Sequence, residues 1–245
     1  MLEQTIRAGL KTGILKQHQL KRLVADTTVQ EKAIAFPTDA RLYHKMRLKL
    51  VKKAQLCDIE LRQSYHRVAK RAFVMQHRFS HARHFKKAER QLRRLKTYLG
   101  RVTRDIERKI SQLPHLHQEF SPLLEMAQRL LSQKRDSKNK LYSIHAPEVN
   151  CISKGKAHRK YEFGCKVGLV SAAGNAFIIG AIGFEGNPYD GHTLKACLSQ
   201  TMRLLNKNRL GDAYVDEGCK GHGCCDIADV HIVRRGWRKL PARFH

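Results

Sequence analysis

Lys21-Arg22-Leu23-Val24-Ala25-Asp26-Thr27-Thr28-Val29 is the stretch on which the fold turns. It reads as a β-strand carrying a carboxylate, Asp26, at its far end. A second short run, Ala213-Tyr214-Val215-Asp216, reads the same way and also closes on an acid. Between them, Cys165 to Val170 and Ala176 to Ile182 are β-rich runs separated by Ser171-Ala172-Ala173-Gly174-Asn175, a hairpin signal. A helix is expected over Leu194 to Asn206. The order is strand, long helical insertion, hairpin, helix, strand, which predicts a mixed α/β fold. If the two acid-bearing strands are neighbours in one sheet, Asp26 and Asp216 come together.

The flanking segments are helical. Leu2, Ile6, Leu10, Ile14 and Leu15 predict a helix over residues 1–20. Glu31 to Pro37 is irregular, and Thr38 or Asp39 caps a helix that starts near Ala40. From there to about Pro114 the chain reads as helical and basic, with 22 Lys or Arg against 5 Asp or Glu over residues 41–109. Within it Phe85, Ala88, Leu92, Leu95, Leu99, Val102 and Ile106 step by three and four, the seam of packed long helices or a short coiled coil. Its outer faces carry Arg90, Arg93, Arg94, Lys96, Arg101, Arg104 and Arg108. A charge run is usually a solvated face, but few acids balance this one, which favours phosphate contact. Pro114 is expected to end the helix, Ser121-Pro122 to start another, and Arg135 to Lys140 to form a polar loop.

The whole chain carries 48 Lys and Arg against 21 Asp and Glu, a formal charge of +27. Such a field attracts polyanions: nucleic acid first, an anionic membrane surface second, acidic proteins third. With 7% aromatics, an RNA-binding module that stacks unpaired bases is the weaker nucleic-acid reading. At 245 residues and 42% hydrophobic, the chain suits one large domain or two small ones with packed cores. It has no apolar run of about 18 residues and no signal-peptide pattern, so a cytoplasmic protein is expected. Seven cysteines make a disulfide framework improbable. Cys57, Cys151, Cys165 and Cys197 read as small buried residues. Cys219, His222, Cys224 and Cys225 lack the paired spacing of a zinc site.

The chemistry rests on Asp26 and Asp216. Carboxylates at neighbouring strand ends can hold Mg²⁺, which prefers oxygen ligands and keeps several waters. Paired ions activate an attacking oxygen and steady a leaving oxygen in phosphoryl transfer. An acid at a strand end is, however, most often a turn or cap residue.

A resemblance sharpens this reading. Asp26-Thr27-Thr28-Val29-Gln30-Glu31-Lys32, with Phe36-Pro37-Thr38-Asp39-Ala40-Arg41-Leu42-Tyr43, resembles the first catalytic block of bacterial insertion-sequence DDE transposases, in the superfamily grouping insertion sequences four and five. Leu61-Arg62-Gln63-Ser64-Tyr65, Lys96-Thr97-Tyr98-Leu99-Gly100-Arg101-Val102 and Arg104-Asp105-Ile106 are similar to the helical insertion of those proteins. Tyr142 to Val149, Ile152 to His158, Tyr161-Glu162-Phe163-Gly164 and Gly186 to Leu194 continue the likeness. Val215-Asp216-Glu217-Gly218-Cys219-Lys220-Gly221-His222 resembles the second catalytic block. The agreement is collinear from about residue 20 to 223.

The resemblance implies an RNase-H-like mixed sheet core, interrupted after its first strand by a long basic helical insertion. The expected layout is an N-terminal helix and first strand over 1–39, the insertion over 40–143 and the rest of the core over 144–245. Asp26 on the first strand and Asp216 on the fourth would be the catalytic residues and the ligands of Mg²⁺ or Mn²⁺. Water attacks first and frees a 3′-hydroxyl at the element end, which then attacks target DNA. Asp190 is expected as an auxiliary residue or a loop cap. Arg62, Arg93, Arg94, Lys96, Arg101, Arg104, Lys154, Lys156 and His158 are the expected DNA contacts. The partners implied are double-stranded DNA and, as an oligomer, itself or a full-length transposase; no membrane is implied, and the setting is the nucleoid. Two features depart from the family. Its third acid, a Glu on a helix well downstream, has no counterpart here: 29 residues follow Asp216, and Glu217 is the last Glu. The further N-terminal domain that reads element ends also lacks a counterpart. A catalytic-core portion, truncated at both ends and incomplete alone, is therefore expected. The alternative is a non-catalytic DNA-binding protein that modulates a full-length transposase.

Overall fold

Strand β1 (Arg22–Glu31) lies at the centre of a six-stranded mixed sheet. The computed structural model describes residues 1–233 apart from 112, 139, 154–159 and 222. On one side β1 pairs antiparallel with β3 (Tyr161–Ala172), from Leu23 opposite Ala172 to Glu31 opposite Gly164. On the other it pairs parallel with β5 (Asp212–Val215), but only from Arg22 to Val24. The hairpin partner β4 (Ile178–Phe184) lies antiparallel on β3, and β6 (Asp229–Ile232) lies parallel on β5. A short strand, β2 (Asn150–Ser153), completes the order β2-β3-β1-β5-β6, with β4 also on β3. The strand ahead of Asp216 is thus fifth in the chain rather than fourth, because Asn150–Ser153 forms a strand of its own.

The chain divides into two compact units, residues 1–32 with 151 onward and residues 33–150. The insertion therefore begins seven residues earlier and ends seven later than the sequence suggests. In the first unit Leu23 and Ala25 alternate inward from β1 and join Val170, Ala172 and Ile179 in a core. Helix α6 (Asp190–Leu204) closes that core through Leu194, Cys197 and Leu198. It settles directly on the sheet because β3 and β4 offer glycines beneath it. A Cβ at Gly168 would lie 2.2 Å from Cys197 Sγ, and one at Gly180 would lie 2.2 Å from Thr201 Oγ1. The expected N-terminal helix is shorter: α1 (Leu2–Lys11) stops before Gly13, whose φ of +75° suits a residue without a Cβ. Residues Gln17–Lys21 form a 3₁₀ turn.

The second unit is four helices: α2 (Asp39–Leu56), α3 (His66–His81), α4 (Phe85–Ile110) and α5 (Pro114–Ser132). Thr38 caps α2, its hydroxyl accepting the Arg41 N–H at 3.3 Å. The expected single helical run is broken at Asp58 and Arg83, both at positive φ. Pro114 opens α5 instead of ending α4, since a first-turn proline needs no donor. Pro122 falls inside that helix rather than at its start. The heptad seam is internal. Leu95, Leu99, Val102 and Ile106 are buried with Met46 and Leu50 of α2 and Phe120 and Leu124 of α5, whereas Phe85 is exposed. The seam from Leu95 to Ile106 therefore packs within this unit. No helix is long and apolar enough to cross a membrane among the described residues.

One histidine couples this unit to pH. His44 stacks on Phe73 with ring centroids 4.9 Å apart, and its Nδ1 is buried without a hydrogen-bond partner among the described residues. Burial, with Arg47 and His66 nearby, pushes its pKa down to about 4. The folded form keeps the ring neutral, while the unfolded chain takes up the proton near pH 6.5. The resulting stability is present above about pH 6.5 and lost as pH falls toward 4. A His44→Phe variant, which keeps the stack, should lose less melting temperature than wild type between pH 6.5 and 4.5. Equal losses would place the acid sensitivity elsewhere.

Candidate active site

The site is set by where β5 stops. Val24 opposite Tyr214 is the last paired position between β1 and β5. Two residues further along each strand lie Asp26 and Asp216, so parallel pairing delivers both acids to the same end of the sheet. Beyond Val24, β1 has no β5 partner, and a cavity of about 700 Å³ opens there. It is lined by Asp26, Thr27, Thr28, Lys166, Asp190 and Asp216, among others. Both acids are exposed. An Oδ1 of Asp26 accepts the Thr27 N–H at 2.7 Å, and an Oδ1 of Asp216 accepts the Gly218 N–H at 3.0 Å. Asp216 caps a 3₁₀ turn over Glu217–Cys219, which fixes the carboxylate as the chain leaves the sheet.

Asp190 enters from another direction, as the first residue of α6. Its Oδ1 lies 2.5 Å from the Lys166 Nζ and accepts the Thr27 hydroxyl at 2.7 Å. The Lys166 ammonium also donates to the Pro188 carbonyl at 2.6 Å. Lys166 projects from β3 toward α6, and its side chain is only 10% exposed. A cation buried in this way must be paired, and Asp190 does it. The cavity therefore holds three carboxylates and one ammonium. Asp190 is more than a loop cap: it fastens α6 to β1 and β3 beside the other two acids.

Cys219 reports the same convergence. It is buried, and burial together with the charges of Asp216, Asp190 and Asp26 pushes its thiol up to about 12. It stays a neutral thiol at any physiological pH and serves as a small wall rather than as a nucleophile.

These residues offer a hard cation a partial seat. Among the described residues no group of three or more His, Cys, Asp or Glu is placed to hold a metal ion. Asp190 is already neutralised by Lys166, which leaves Asp26 and Asp216. Two carboxylates suit Mg²⁺ or Mn²⁺ where waters and a phosphate oxygen of the substrate complete the shell.

The expected basic contacts divide into groups. Arg93 and Arg94 are exposed on α4, Arg93 beside Glu89 at 3.7 Å and Arg94 donating to Gln91 at 3.5 Å; Lys96 is half-buried. Arg62, Arg101 and Arg104 line one cavity together with Arg108. Lys154, Lys156 and His158, like His222 of the cysteine-rich stretch, lie outside the described residues. The sequence reading missed Lys166 as a member of the acidic site. A lysine in an alternating strand looks like an outward residue, and its partner lies 24 positions away on α6.

Comparison with known proteins adds one partial match. The chain is 52% identical over 85 residues to "Uncharacterized protein ORF8 in nfe locus" from Rhizobium meliloti. The match covers 35% of this chain and 41% of that protein, so the chain spans about two-fifths of the relative's length. No family model matches, and no solved structure matches.

Proposed function

We propose that the first unit carries the phosphoryl-transfer centre of a DNA transposase, in an RNase-H-like core, and that the second unit is its basic DNA-binding insertion. The observation that carries this reading is the delivery of Asp26 and Asp216 by parallel neighbours to one cavity. The strand order supports it: β4, β3 and β1 run antiparallel in turn, and β5 and β6 follow parallel to β1. The motif resemblance and the formal charge of +27 point the same way. Asp26 and Asp216 would together hold Mg²⁺ or Mn²⁺, which supplies Lewis-acid activation of the attacking oxygen and charge stabilisation of the leaving one. Lys166 and Thr27 hold Asp190, and with it the start of α6, against the strand carrying Asp26. Basic side chains of the insertion would neutralise backbone phosphates of duplex DNA. The protein would act in the cytoplasm on the nucleoid.

A second reading has its own observation. The described residues place only two carboxylates free of the lysine, so a DNA-binding protein that modulates a full-length transposase without cutting is the alternative. The test is incubation of a supercoiled plasmid carrying the sequences that flank the coding region with Mg²⁺ or Mn²⁺. Wild type should nick or join DNA, and Asp26→Ala should lose this by at least a hundredfold at undiminished DNA affinity. Salt-sensitive binding by both proteins with cutting by neither would select the modulator. Absence of binding would sink both readings.

A further inference from the structure

We propose that Arg62, Arg101, Arg104 and Arg108 of the second unit form a discrete site for a single phosphate group, supplied by a nucleic-acid backbone. The inference deepens the DNA-binding half of the proposed function and does not depend on the catalytic half. Four guanidinium groups line a cavity of about 270 Å³ whose only acid is Asp105. That acid is committed. Its side chain is 8% exposed, and Oδ2 accepts the Arg62 backbone N–H at 2.9 Å. Oδ1 accepts from Arg108 Nη2 at 3.4 Å, and Lys109 Nζ lies 3.7 Å from Oδ2. One buried carboxylate thus fixes the loop bearing Arg62 to the turn of α4 bearing Arg108, while neutralising only one of the charges around it. Positive charge is left over in a walled recess, and the fork geometry of arginine suits phosphate oxygens.

The wall of the recess is stiffened for that role. Tyr65 stacks on Tyr98 with centroids 4.8 Å apart, and its hydroxyl accepts from Arg101 Nη1 at 3.4 Å. Tyr65 also holds a left-handed backbone, φ +55° and ψ +25°, at the start of α3. That conformation is costly for a bulky residue and persists only where the surroundings enforce it. A solvated face of repelling arginines would not require a strained aromatic at its rim.

Arg104→Gln is the variant to make, because Arg104 takes no part in fixing Asp105. Arg7→Gln, on the exposed face of α1 in the first unit, is the control. At fixed ionic strength, about 20 mM inorganic phosphate in place of chloride should raise the melting temperature of wild type and Arg7→Gln more than that of Arg104→Gln. In fluorescence anisotropy with a duplex of about 20 base pairs, Arg104→Gln should weaken binding about fivefold to tenfold. It should also lower the slope of log K against log salt by about one, the signature of one lost phosphate contact. The same slope and affinity in Arg104→Gln and Arg7→Gln would overturn the proposal. Phosphate-dependent stabilisation without duplex binding would also overturn it, by making the ligand a free phosphate. Duplex binding with the predicted loss, but without plasmid cutting, would leave this site standing while the catalytic reading fails.

Discussion

Asp190→Asn should destabilise the first unit by about 3 kcal/mol, whereas Lys166→Met should cost far less. The asymmetry follows from burial. The Lys166 side chain is 10% exposed and that of Asp190 31%. Removing the carboxylate strands an ammonium in a poorly solvated place with the Pro188 carbonyl as its remaining acceptor among the described residues. Removing the ammonium leaves Asp190 bonded to the Thr27 hydroxyl and partly reached by water. Chemical denaturation of the two variants and of the double variant measures this directly. The double variant should recover most of the loss, since neither charge is then left alone. Equal costs for the two single variants would mean that water reaches Lys166 as well as it reaches Asp190.

Arg47→Met should have the opposite sign and stabilise the second unit by about 1–3 kcal/mol. Arg47 is 1% exposed in the α2–α4 core, and burial lowers its pKa. Its Nη1 donates to the Ser64 carbonyl at 2.6 Å, but Nε and Nη2 have no hydrogen-bond partner among the described residues. A buried charge with unmet donors costs several kcal/mol that a methionine of similar length would not incur. The Ser64 bond would be lost, which offsets about 1 kcal/mol of the gain. An upward shift of the denaturant midpoint is the expected reading. A downward shift would show that the Ser64 bond, which holds the loop ahead of Tyr65, is worth more than the unmet donors cost.

The central strand and the buried seam of α4 could be read from the sequence because each has a strong period. Leu23 and Ala25 alternate with exposed neighbours, and Leu92 to Ile106 step by three and four. The breaks between the insertion helices could not be read so well. They fall at Asp58 and Arg83, exposed residues that hold positive φ without the glycine that would mark such a turn in the sequence. The prolines of α5 misled in two ways: Pro114 stands in the first turn, where proline is tolerated, whereas Pro122 lies inside the helix, where proline ordinarily marks a boundary. The strands β2 and β6 span four residues each, too few for a pattern to rise above chance. For the site, only Asp216 follows the end of its strand, whereas Asp26 is the fifth of the ten residues of β1, which continues to Glu31, but both were legible as acids of short β runs. Lys166 was not, because its role comes from the descent of α6 onto Gly168 and Gly180, which places Asp190 over it.

The insertion also has a consequence for synthesis. Leu23 pairs with Ala172, so the central strand leaves the ribosome 149 residues ahead of its partner. At roughly 5–20 residues per second this is a wait of about 7–30 s. The four helices of the insertion are contiguous in the chain and emerge complete during that wait. Helical packing of local segments closes in milliseconds or less. The second unit can therefore be finished while Leu23, Ala25 and Val29 are still uncovered.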